Sequence, residues 1–242
     1  MSVEGSNAAA TWVMFLAALC LSGCDDTTAR VLPTDPPPRG VVEPPDSFLP
    51  ARDCSPLGAY SGPRPGTEYI YKRGDGSSSS RKILAVDDDK VVFQYSDLST
   101  AGQRPLPPTT TIAGLFVVES ERSGRRVAYR DDPVGALAGL GVGQSIRIAT
   151  EETSTLGGSR RTIPLTTTVR YLACGVIQSS GRAMPVRVYR VTSGRRVAGP
   201  DLRDRIRLSE VTYYLSDETG YPLAFADPGT TSVLQRIVTL PY

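Results

Sequence analysis

The constraint that bears hardest on the fold is the alternation of apolar and charged residues in short runs. In Ser145-Ile146-Arg147-Ile148 and Arg205-Ile206-Arg207-Leu208 every second residue is apolar, which sends alternate side chains to opposite faces of a strand and leaves no stripe at helical spacing. Runs rich in β-branched and aromatic residues recur: TEYIYKR (67–73), RKILAVD (81–87), KVVFQYSDL (90–98), TIAGLFVVESE (111–121), RRVAYR (125–130) and QSIRIATEE (144–152). They continue with TTTVRYLACGVIQ (166–178), MPVRVYRVT (184–192), RDRIRLSEVTYYLSD (203–217), YPLAFA (221–226) and TSVLQRIVTL (231–240). Turn chemistry separates many of them, in GDGSSSS, Asp88-Asp89, Ser123-Gly124, Ser179-Ser180-Gly181, Ser193-Gly194 and Thr219-Gly220. The pattern predicts about eight to eleven strands in a single antiparallel curved sheet, half-barrel or barrel-like, with at most one or two short helices. The helical candidate is DPVGALAGLG (132–141), with Asp132 as cap, Pro133 as first residue and Gly139, Gly141 and Gly143 ending it. A loop there is the alternative.

The β-rich body, 66–242, has about 175 residues, which suits one domain with its own core. Residues 24–65 are crowded with prolines and lack periodicity, so they read as a disordered tether. From Asp25 to Asp53 there are 29 residues, a reach on the order of 30 Å as a coil and at most ~100 Å extended. A docking motif at Pro33 to Pro38 is the lesser reading of this stretch.

Ahead of the tether, Thr11 to Leu21 is apolar and uncharged, well short of the ~20 residues that span a bilayer and about the length of a secretory signal. Residues 1–23 are therefore expected to be a signal peptide. The leader carries Glu4 and neither Lys nor Arg, a departure from the basic start of such signals. The string Leu21-Ser22-Gly23-Cys24 resembles the lipobox of bacterial lipoproteins. That resemblance implies a diacylglyceryl group on the Cys24 sulfur, cleavage just before it, and a membrane as partner. Two or three acyl chains anchor stably at ~0.8 kcal/mol per buried methylene, whereas one chain binds only marginally.

Cys20 leaves with the signal, so the mature body keeps Cys54 and Cys174. In an oxidising exported compartment the pair reads as one disulfide between the end of the tether and the run 166–178. Two separate thiols remain the alternative.

The chain has no histidine, and its one asparagine is Asn7. That excludes Ser-His-Asp and Cys-His triads and His-containing zinc sites. Carboxylates available for paired chemistry are Asp87, Asp88, Asp89, Glu119, Glu121, Asp131, Asp132, Glu151 and Glu152, most of them at turns where solvated charge is the ordinary reading. The three lysines, Lys72, Lys82 and Lys90, sit in or beside hairpin strands without an S-x-x-K motif. Calcium at Asp87-Asp88-Asp89 lacks the glycine and distal glutamate of an EF-hand loop. Gly139-Leu140-Gly141-Val142-Gly143 lacks the βαβ setting of a dinucleotide site. No catalytic residue, metal or cofactor is expected. Arginine is abundant, yet the net charge is only +2, so nucleic acid is not implied as a partner. A local basic face at Arg122, Arg125, Arg126 and Arg130, or at Arg203, Arg205 and Arg207, would suit anionic lipid or polysaccharide.

The segments Ala138-Gly139-Leu140-Gly141-Val142-Gly143-Gln144 and Tyr213-Tyr214-Leu215-Ser216-Asp217-Glu218-Thr219-Gly220-Tyr221-Pro222, with the strand holding Cys174 between them, resemble uncharacterised bacterial envelope proteins built on a curved antiparallel sheet. In outline these are similar to half-barrel lipoprotein carriers, and no functional residue carries over. The expected function is that of a membrane-anchored envelope lipoprotein facing the periplasm, a non-catalytic interaction scaffold for another envelope protein. The alternative is a carrier for an apolar or acyl-chain ligand within the curved sheet. Asp25 favours the inner membrane under the enteric sorting rule, and the choice between inner and outer membrane stays open.

Overall fold

In the computed structural model the segment expected as tether contributes β1 (Thr34–Asp35) and β2 (Phe48–Pro50), and the alternating runs form β3 (Thr67–Arg73), β4 (Ser78–Asp87), β5 (Lys90–Asp97), β6 (Thr109–Ile112) and β7 (Phe116–Ser120). There follow β8 (Arg125–Tyr129), helix α1 (Pro133–Ala138), β9 (Ser145–Leu156), β10 (Ser159–Ser179), β11 (Arg182–Ala198), β12 (Asp204–Ser216), β13 (Pro222–Asp227) and β14 (Thr230–Thr239). The structure describes residues 34–35, 44–55, 57, 60–99, 104–179, 181–198, 204–228 and 230–239. The signal segment, Cys24, Asp25 and Arg203 lie outside the described residues.

From β3 onward each strand pairs antiparallel with its successor, and β14 returns to β3. The sheet thus closes as an up-and-down barrel of 12 strands. An even number lets the closing pair be antiparallel like the rest, and closure removes the unpaired edges of an open or half-barrel sheet.

The 14 strands exceed the range read from sequence because β1 and β2 arise in the expected tether and TIAGLFVVESE holds two strands. The chain reverses at Ala113 (φ 51°) and Gly114 (φ 69°), putting Ile112 opposite Phe116. Alanine in the left-handed region carries no turn signature, so the reversal is silent in the sequence. Ser193-Gly194, expected as a turn, instead lies inside β11, with Ser193 opposite Ser209 and Gly194 opposite Leu208. The 12-residue β9 and 21-residue β10 join through Gly157 (φ 56°) and Gly158 (φ 77°), the double left-handed geometry of a two-residue hairpin. Helix α1 forms as its caps dictate. The Asp132 carboxylate accepts from the amides of Val134 (2.9 Å) and Gly135 (3.0 Å), and Leu137 is buried beneath.

Twelve strands enclose more space than the aliphatic side chains of a small barrel fill. Tyrosine fills much of it: Tyr69, Tyr71, Tyr171, Tyr189 and Tyr221 are among the largest fully buried side chains. They divide between two cores. One gathers Tyr69, Tyr71, Ile83, Phe93, Tyr221 and Leu223, and the other Phe116, Leu137, Ile148, Val169, Tyr171 and Tyr189.

Residues 44–55 and 60–65, expected to belong to the disordered tether, lie packed against the barrel as a strap. Strand β2 pairs with β10, and the Phe48 ring meets Tyr214 edge-on at 5.2 Å. Cys54 and Cys174 are joined by a disulfide with their Cα atoms 5.6 Å apart. Leu57 is buried, and the Tyr60 hydroxyl donates to the Gly220 carbonyl at 2.8 Å. Two glycines make this approach feasible. A Cβ on Gly175 would run into the Leu49 carbonyl oxygen, and one on Gly220 (φ 57°) into that of Ser61. Composition marks the stretch as unable to fold alone, but the partners that hold it lie more than a hundred residues away. Strand β1 adds a short parallel pairing, Thr34 opposite Ile206 and Asp35 opposite Arg207.

Antiparallel order sends successive connections to alternate ends of the barrel. The turns at 74–77, 121–124 and 157–158 share one end; the turns at 88–89 and 113–114, helix α1 and the strap contact at Gly220 share the other. Strand β1 meets β12 near the first end, close to where β12 begins.

Candidate functional site: the arginine-lined mouth of the barrel

Along β11 and β12 the residues of one face follow as cross-strand pairs: Tyr189 with Tyr213, Val191 with Val211, Ser193 with Ser209, and Arg195 with Arg207. Period-two alternation alone produces this order, and successive rows lie ~7 Å apart along the strands. The face therefore changes from aromatic through aliphatic and hydroxyl to cationic as it approaches the first end. Opposite it stand Phe116 and Val117 of β7, Arg125, Val127 and Tyr129 of β8, and Thr150 of β9. Between these walls lies a cavity of about 260 Å³. Arg195 and Ser209 on its lining are exposed, so it opens to solvent at this end.

A charge lattice braces the mouth. Arg125 Nε donates to Glu152 Oε2 at 2.8 Å, while its Nη2 reaches the Gly194 carbonyl at 2.9 Å. Glu152 is only 1 % exposed, and its other oxygen accepts the Arg196 amide at 3.1 Å. Arg196 donates through Nε to Asp204 (2.9 Å) and through Nη1 to the carbonyls of Ser154 and Ser159 (3.1 Å each); Arg161 also donates to Asp204 at 3.1 Å. A buried carboxylate and guanidinium persist only when paired and hydrogen-bonded in this manner.

The lattice changes the reading of the first basic face expected from sequence. Arg125 pairs with Glu152, Arg126 with Glu119 and Arg130 with Glu151. Cross-strand neighbours from β7 and β9 supply an acid for each of these three, so they do not form a cationic stripe; Arg122, the fourth residue of that face, is exposed in the β7–β8 turn. On β12, Arg207 is exposed opposite Arg195. Arg195 has no carboxylate partner among the described residues, whereas Arg207 has Asp35 of β1 opposite it in the parallel register.

The other residues singled out in the sequence are dispersed. Asp87, Asp88 and Asp89 form the β4–β5 turn, with Asp88 at φ 53°. Lys72, Lys82 and Lys90 are exposed. Among the described residues no three Asp, Glu or Cys side chains converge as metal ligands.

Two arginines without a specific sequence expectation occupy central places. Arg81 lies over the rings of Phe225 (4.1 Å), Phe93 (5.1 Å) and Tyr71 (5.6 Å). Burial pushes the phenols of Tyr71, Tyr213 and Tyr221 above their ordinary value, with the nearby Arg81 charge opposing the shift. Beneath the strap, Arg187 donates to Asp217 Oδ1 at 2.6 Å and to the Ser55 carbonyl at 3.2 Å. Burial raises the Asp217 carboxyl above its usual range, and Arg187 works against that rise. The signal for Arg187 was present in the sequence, where it shares a face with Tyr189 and Val191 in VRVYRV.

No protein-family model matches this chain, and no curated protein matches it. Solved structures with partial likeness exist. The hypothetical lipoprotein YmcC from Escherichia coli K12 superposes with a TM-score of 0.42 at 10 % identity, covering 73 % of this chain and 87 % of that one. A candidate exported protein with a YmcC-like fold from Bacteroides fragilis NCTC 9343 gives 0.39 at 10 % identity over 76 % of this chain and all (100 %) of its own. A candidate lipoprotein from Parabacteroides distasonis ATCC 8503 gives 0.38 at 9 % identity, with 77 % and 100 % covered.

Proposed function

We propose that this chain is a bacterial envelope lipoprotein, anchored through lipid on Cys24 and facing the periplasm, whose barrel is a non-catalytic interaction scaffold for another envelope protein. The observation that carries the choice of scaffold over acyl-chain carrier is the filled interior. Tyrosines occupy the space between the sheet walls, and the cavity enclosed at the mouth is about 260 Å³, below the ~300–1,000 Å³ of ordinary small-molecule sites. A long acyl chain has no room there. The strap supports the same reading, because a disulfide and a strand pairing couple the N-terminal segment to β10. Asp25 keeps the inner membrane in view under the enteric rule.

Crosslinking with mass spectrometry on native membranes tests this proposal. The scaffold reading expects a recurrent protein partner crosslinked to the barrel. Acyl lipid co-purifying with the barrel, with no protein crosslink, would establish the carrier in its place.

A further inference from the structure

The mouth cavity is too small for a lipid tail, yet its walls are graded in one direction. Its deep end is formed by Phe116, Val127, Val191, Val211 and Tyr213, its collar by Thr150, Thr167, Ser193 and Ser209, and its exposed rim carries Arg195. Arg207, opposite Arg195 in the next strand, has Asp35 of β1 as its other neighbour. Glu152 and Asp204 are engaged by Arg125, Arg161 and Arg196. On the cavity lining, Arg195 is the exposed cation without a carboxylate partner among the described residues.

We infer that this cavity is a binding site for a small anionic amphiphile, a carboxylate on a short apolar body, with the carboxylate at Arg195 and the body among Val127, Val191 and Val211. At ~30 Å³ per water-sized group, the volume admits about eight or nine heavy atoms. A six-carbon carboxylate has that size. Recognition combines burial of the apolar body with a charge-assisted bond to a guanidinium. This site is independent of the scaffold role, since it uses the interior of the mouth rather than the outer surface.

The test uses the mature lipidated chain in phosphatidylcholine nanodiscs, with valine methyl groups labelled for NMR and hexanoate as the probe. Saturable shifts at Val127, Val191 and Val211 are expected, with 1-hexanol binding about tenfold more weakly because it lacks the charge. Exposed Arg195→Gln should weaken hexanoate about tenfold and leave 1-hexanol unchanged. Val191→Phe, which fills the cavity, should abolish both. Absence of saturable hexanoate shifts in the native chain would overturn the site. So would equal loss of both probes in Arg195→Gln, or hexanoate binding that survives Val191→Phe.

Discussion

The guanidinium carbon of Arg81 sits 4.1 Å from the centroid of the Phe225 ring. Phe93 and Tyr71 complete an aromatic surround, so the cation is balanced by ring faces and phenol dipoles. Desolvated cation–π contacts reach about 2 kcal/mol. A double-mutant cycle of Arg81→Met and Phe225→Leu, followed by urea unfolding, should give a coupling of about 1–2 kcal/mol. Additive single changes would show that Arg81 is held by packing alone.

Stability should fall steeply in alkali. Burial raises the phenols of Tyr60, Tyr69, Tyr71, Tyr129, Tyr189, Tyr213 and Tyr221 above the ordinary value of 10.0, and that of Tyr214 is pushed up to about 12. Above about pH 10 the unfolded chain releases these protons while the folded chain keeps them. Stability contributed by the protonated phenols is thus complete below that pH and is lost as pH rises, by about 1.4 kcal/mol per unit for each. Phenolate absorbance should appear together with unfolding. Gradual ionisation of these tyrosines in a chain that stays folded would contradict the burial described.

The Cys54–Cys174 bond closes a loop of 120 residues. Constraint of the unfolded chain by a loop that long is worth up to about 4–5 kcal/mol. The double variant Cys54→Ser, Cys174→Ser should lower stability by roughly 2–5 kcal/mol in urea titration. An unchanged midpoint would mean that the strap pairing alone fixes the segment.

Gly220→Ala should loosen the strap without opening the barrel. The added methyl meets the Ser61 carbonyl at a backbone angle that already disfavours alanine, a penalty of about 1–3 kcal/mol. Hydrogen exchange should then rise across residues 48–61 and stay slow in the central strands. Uniform acceleration would show that strap and barrel unfold as one unit.

The sheet was legible because alternation is local. Arg205-Ile206-Arg207-Leu208 reports its two faces without knowledge of any partner. Helix α1 was legible for the same reason, since Asp132 and Pro133 act within one turn. Closure was not legible, because β3 and β14 meet only at opposite ends of the body, with Leu234 opposite Tyr71. The mouth was hidden likewise. Arg125 and Glu152 are 27 residues apart, and only the placement of β8 beside β9 converts an apparent basic stripe into a neutral lattice. The strap escaped for a related reason: its prolines describe its own inability to fold, whereas Gly175 and Gly220, which receive it, lie far along the chain.

The proposed lipid on Cys24 would turn this β-barrel into a membrane-tethered one. Intact-mass analysis of the mature protein extracted from membranes tests this directly. The predicted result is a chain beginning at Cys24 with diacylglyceryl mass on its sulfur, and a Cys24→Ser chain lost from the membrane fraction. A mature N-terminus at any other residue, or an unmodified Cys24 in a chain that still sediments with membranes, would contradict it.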